Sequence, residues 1–153
     1  MRITWGVTVF ALAVVVAGAA IHMETVQAQA GATPTVDQFP ALMKTISSTQ
    51  TSLRGKMKEN NLADAAKDAQ IIATTFGDVE KFFASKSKAD GVKWAQDGRN
   101  GATAVAAALA AGDAMKAQGD LKTMAGSCQG CHAAYREGGQ PPGTPYKFKE
   151  GSI

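Results

Sequence analysis

Apolar residues recur at helical spacing along most of this chain, and nowhere do they alternate as in a strand. From Asp37 onward Phe39, Leu42, Met43, Ile46, Leu53 and Met57 share one face, which predicts a first helix ending near Lys58. Pro40 suits its opening turn, where backbone N–H groups have no intrahelical partner to lose. Asn60-Asn61 breaks the pattern. A second helix is expected from about Leu62 to Ala84, capped by Asn61, with Ala65, Ala69, Ile72, Phe76, Val79 and Phe83 as its buried stripe. After a lysine-rich connection over Ser85–Gly91, a third is expected from about Val92 to Lys116, rich in alanine and interrupted by Gly98 and Gly101. Gly119-Asp120 is expected to stop and recap the chain, so that a fourth helix runs from Leu121 to about Arg136. The rest is rich in proline and glycine and reads as an extended surface tail.

Short connections make successive helices antiparallel, so the expected fold is all-α, an up-down-up-down four-helix bundle. The segment ahead of it changes the picture of where the protein works. Arg2, the apolar stretch Ile3–Ile21 and the small-x-small triplet Ala28-Gln29-Ala30 read as a secretory signal peptide with its cleavage site. The competing reading is a retained anchor, since the apolar run is about long enough to span a bilayer. Cleavage would leave 123 residues, enough for one domain, divided into a bundle over 31–137 and a tail over 138–153. It removes one base, Arg2, and one acid, Glu24, so the formal charge stays at +3. That mild basic bias suits an acidic protein partner and is too small to indicate nucleic acid.

The chemistry is concentrated in five residues of the fourth helix. The chain has two cysteines and both lie in Cys128-Gln129-Gly130-Cys131-His132; its other histidine, His22, falls in the expected leader. A Cys-x-x-Cys-His run is the attachment signature of a c-type haem. Two thiols add across the porphyrin vinyl groups as thioethers, and the adjacent imidazole ligates the iron. Residues three and four apart share a helix face, so all three groups can meet one porphyrin. A thioredoxin-type pair would open a helix in a strand-bearing fold, and a structural zinc site needs four donors where three are present. One covalently bound haem c is therefore expected, and export agrees with it, because this haem is attached outside the bacterial cytoplasm. Alanine-rich stripes would close one end of the bundle, leaving the other to the bulky group.

Bundle geometry then points to a second axial ligand. The first and fourth helices run antiparallel, so the start of one lies beside the end of the other, where His132 falls. Of Met43, Met57, Met115 and Met124, only Met43 is expected at that end. Met57 stands about 21 Å further along the first helix, Met124 precedes His132 by about 12 Å, and Met115 is placed at the far end of the third helix. The competing reading of Met43 is ordinary core, because methionine is a common gap-filler. Phe39, Phe82, Phe83, Trp94 and Tyr135 are expected at the same end as pocket walls, with core aromatics as the alternative. Arg136 is expected near a haem propionate, and Lys44, Lys86, Lys88 and Lys93 around the haem edge; a solvated face is the plainer account of these cations.

At this point the chain resembles the class II c-type cytochromes, cytochrome c prime and its methionine-ligated, low-spin relatives. The resemblance rests on the C-terminal motif continued as Cys131-His132-Ala133-Ala134-Tyr135-Arg136, on Leu42-Met43-Lys44 in the first helix, and on Trp94 near the start of the third. It implies a periplasmic electron carrier with His132 proximal, Met43 distal, Cys128 and Cys131 as tethers, redox proteins as partners, no enzymatic reaction and no membrane span in the mature chain. It also allows a homodimer, since high-spin relatives often pair through their first two helices. The tail departs from the family in length; its Tyr146-Lys147-Phe148-Lys149 run would fold back on the bundle or meet a partner. Two other functions fit the same residues: a five-coordinate protein binding nitric oxide or carbon monoxide, with Met43 beside the iron but unbonded, and a redox subunit of one dehydrogenase or oxidase.

Overall fold

The computed structural model describes residues 31–138 and 147–153. The expected signal peptide with His22, and the tail residues 139–146 with Tyr146, lie outside them. The described chain is 77% helical and all-α, with four helices: α1 Phe39–Lys58, α2 Leu62–Ser85, α3 Ala89–Ala110 and α4 Ala114–Tyr135. Two short strands follow, β1 Arg136–Glu137 and β2 Lys147–Phe148, paired antiparallel.

Local chemistry sets the ends. Pro40 opens α1, Lys56 and Lys58 place positive charge on its last turn, and Asn60 takes the left-handed conformation (φ 58°) that ends it. The Asn61 side chain accepts from the Asp64 N–H, capping α2 as expected. Ser87 (φ 54°) turns the chain into α3, which starts at Ala89, slightly earlier than the pattern predicts.

The expected break at Gly119-Asp120 is not there. The chain turns at Ala111–Asp113 instead, where Gly112 has φ 77° and the Asp113 carboxylate accepts from the Lys116 N–H. Gly119 and Asp120 lie inside α4, and Asp120 pairs with Lys116 one turn back. Met115 accordingly belongs to the first turn of α4, 86% exposed, and not to the third helix. The force behind this choice is burial. Ala117, Leu121, Met124 and Tyr135 form one continuous stripe, which a turn at Gly119 would cut.

Gly98 and Gly101 do not interrupt α3 either. A Cβ on Gly98 would stand 2.6 Å from the Phe76 ring, and one on Gly101 would stand 2.9 Å from Met124 Cβ. They are points of close approach to α2 and α4, and that packing offsets the helix propensity glycine lacks.

Contacts between helices establish their directions. Lys56 near the end of α1 pairs with Asp68 near the start of α2 at 2.8 Å. Phe83 and Phe76 of α2 meet Gly91 and Gly98 of α3. Asp90 meets Tyr135, Trp94 meets Gly130, and Gly101 meets Met124, so numbers rise along α3 as they fall along α4. Each helix thus reverses the one before. Close backbone packing joins α1 to α2, α2 to α3 and α3 to α4, while α1 and α4 are not joined in the same way.

Candidate functional site

Cys128, Cys131 and His132 occupy the last two turns of α4 on the side that carries buried Leu121, Met124 and Tyr135. All three are half-buried. Burial raises the Cys128 thiol, and burial together with the neighbouring Cys128 pushes Cys131 up to about 12. These thiols are thus the reverse of a reactive dithiol, whose attacking cysteine is held as thiolate by a lowered pKa. Burial, and then the Arg136 charge, lower the His132 pKa, which keeps the imidazole neutral at pH 7 and fit to donate a lone pair. An Arg136 guanidinium nitrogen lies 3.4 Å from His132 Nδ1.

Below this face lies an aromatic floor drawn from three helices, α1, α2 and α4. The Phe39 ring is 4.5 Å from Phe82 and 5.6 Å from Phe83, and Phe83 is 4.7 Å from Tyr135. Phe83 thereby links Phe39 at the start of α1 to Tyr135 at the end of α4. Met43 follows Phe39 by four residues on the same face, and His132 precedes Tyr135 by three. Because the helices run in opposite directions, both residues stand about one turn in from the floor, or about 5 Å. Met43 is half-buried and packs against the core.

Trp94 meets α4 on a different flank. A Cβ on Gly130 would lie 2.6 Å from its indole nitrogen. Gly130 is two residues from both Cys128 and His132, so this flank is turned away from theirs. Trp94 also sets its ring edge-on to Tyr135 at 6.2 Å. An open groove of about 500 Å³ runs along the same flank between α3 and α4, lined by Trp94, Asp97, Gly101, Thr123, Gly126 and Ser127. The four lysines expected as a ring are not alike. Lys44 is exposed, Lys86 reaches over the Phe82 ring at 5.9 Å, Lys88 is half-buried, and Lys93 pairs with Asp97 at 2.6 Å.

Two contributors escape the sequence pattern. Asp90 accepts the Tyr135 hydroxyl at 2.5 Å, locking the start of α3 to the end of α4. That bond lowers the Asp90 pKa, while burial and then Asp90 push the Tyr135 phenol up to about 12. Phe148 joins the floor from the tail, 4.7 Å from Phe39 and stacked on Phe82 at 5.4 Å. The fold-back of the Lys147–Lys149 run onto the bundle, one of its two expected fates, is therefore observed.

Among the described residues no cluster of three or more His, Cys, Asp or Glu is placed to hold a bare metal ion. No described helix is long and apolar enough to cross a membrane. The donor set of two thiols and one neutral imidazole on a single face has the chemistry that covalent haem attachment and axial ligation require. That face is half-buried next to the side where α1 does not close on α4, so the donors fit the group. Comparison of the chain with protein-family models, with curated proteins and with solved structures returns no match.

Proposed function

We propose that this protein is an exported, periplasmic electron carrier of the class II c-type cytochrome kind, an up-down four-helix bundle holding one covalent haem c. The observation that carries the reading is the placement of Cys128, Cys131 and His132 together on the half-buried inner face of α4, above an aromatic floor shared with the start of α1. Haem, when bound, supplies a one-electron ferric/ferrous couple.

The chain's own residues do the rest. Cys128 and Cys131 would tether the group, and His132 would hold its iron through a neutral imidazole. Met43 would supply a second ligand through its thioether, which would favour the reduced state and leave no position for a substrate. Phe39, Phe82, Phe83 and Tyr135 exclude water, which keeps the polarity around the group low. Arg136, close to the His132 ring, is assigned to a propionate. The position of Trp94 on the Gly130 flank suits a buttress that holds α4 in place more than a wall over the porphyrin. No acid, base or nucleophile is placed beside an open iron position in this reading, so the protein passes electrons between redox partners and transforms no substrate.

The test is expression with export and haem-attachment machinery, followed by denaturation in acid. A chain that keeps its haem through denaturation, and loses it when Cys128 and Cys131 are both alanine, supports the reading. A native chain that emerges without haem would overturn it. The gas-binding alternative is separated by Met43→Leu, which opens the iron and lowers the potential only where Met43 is a ligand.

A further inference from the structure

Among the described helices α1 is the first and α4 the last, so no helix–helix turn joins the start of one to the end of the other, and their backbones do not close-pack. The hydrogen bonds at the entry to α1 are local to it. Gln38 makes no side-chain cap, and 35–38 are linked to one another by local turn hydrogen bonds. The ligand pair proposed above nevertheless needs Met43 and His132 at a set separation.

Residues 147–149 span this gap. β2 pairs with β1, Phe148 opposite Arg136, directly after the end of α4. The Lys149 N–H donates to the Tyr135 carbonyl at 2.9 Å, and Lys149 Nζ donates to the Ala133 carbonyl at 2.5 Å. Those carbonyls belong to the final turn of α4, where intrahelical donors are missing. The tail is thus anchored on α4, and from that anchor the Phe148 ring lies against Phe39 and Phe82.

We infer that this C-terminal strap fixes the entry turn of α1 against the end of α4, and that Phe148 is a positioning residue for Met43, acting through Phe39. The inference rests on the ligand role proposed for Met43. Phe39 and Met43 are four residues apart on one face, so a displacement of the first is transmitted to the second along a rigid helix. A tail of this kind makes ligand strength depend on a segment outside the bundle.

The test compares the wild-type holoprotein with Phe148→Ala, Phe148→Tyr and Met43→Leu, reading amide exchange over 39–46 and the reduction potential. Phe148→Ala is expected to speed exchange by about tenfold, the scale of one lost aromatic pair. It should also lower the potential toward that of Met43→Leu, and Phe148→Tyr should restore both. Unchanged exchange in Phe148→Ala overturns the strap; faster exchange at an unchanged potential overturns the positioning role. Equal potentials for wild type and Met43→Leu overturn the Met43 ligand and with it that role, whereas the exchange result still judges the strap.

Discussion

The two ends of the helix array are built from different materials. At the end remote from the motif the core is Leu53, Ala65, Ala69, Leu109, Ala117 and Leu121, small or compact side chains between helices that approach closely. At the motif end it is Phe39, Phe82, Phe83 and Tyr135, joined by Phe148. The outer helix α1 buries only Phe39, Ile46 and Leu53, whereas α2 buries residues along its whole length. The contrast teaches a division of labour. Alanine packing lets backbones close and gives one end its stability, while the rings form a wide, water-excluding floor at the other, beside helices that are not closed on each other. On the haem reading, damage to the remote end should therefore cost stability without altering the chromophore, whereas damage to the motif end should alter the chromophore and cost stability as well.

The largest effect expected is all-or-none. On the proposed reading, Cys128→Ala combined with Cys131→Ala should abolish covalent haem, read as loss of the haem mass from the denatured chain. Next, Leu53→Ala, at a position with 0% exposure, should lower unfolding free energy in urea by about 2–5 kcal/mol while the ferrous spectrum stays that of the wild type. A changed spectrum would break the division of labour. Gly101→Ala tests the close approach between α3 and α4, because the added Cβ meets Met124 Cβ at 2.9 Å and its Cα at 3.1 Å. Overpacking costs about 1–3 kcal/mol and the gain in helix propensity returns about 1, so a net loss of about 1 kcal/mol in the same titration is expected.

The smallest effect is one of pH. The Tyr135 pKa is raised from 10.0 to about 12, so its contribution is complete below pH 10.0 and is lost as pH rises to about 12. The Asp90 pKa is lowered by the same bond, so its contribution is present above its ordinary value of 3.8 and is lost as pH falls through the depressed one. Tyr135→Phe should remove both limbs, flattening the stability profile at its alkaline and acid ends. Thermal unfolding across the pH range reads this directly, and an alkaline limb that persists in the variant would remove Tyr135 as its source.

Much of this was legible because the signals were local. Pro40 and Asn61 mark helix starts through backbone chemistry that operates within one turn, and the helical stripes of α1 and α2 match the buried residues. The third turn lies seven residues before the position its sequence suggests, because Gly112-Asp113 and Gly119-Asp120 carry the same local signal. Only the long-range stripe through Ala117, Leu121 and Met124 separates them, and it runs unbroken past Gly119. Gly98 and Gly101 looked like interruptions because a sequence does not display the Phe76 ring and the Met124 side chain that lie against them. At the site, the spacing of Cys128, Cys131 and His132 was fully readable. The part played by Phe148 was not, since a two-residue strand has no periodicity and its partners Phe39 and Phe82 lie far away in sequence.

On the proposed reading, a haem at the motif end would be held by both His132 and Met43. The most direct test is the optical spectrum of the purified ferrous protein before and after carbon monoxide. A sharp low-spin spectrum that carbon monoxide barely alters is the predicted result. A broad high-spin spectrum that shifts as soon as the gas is added would contradict it and make the protein a binder of small gases.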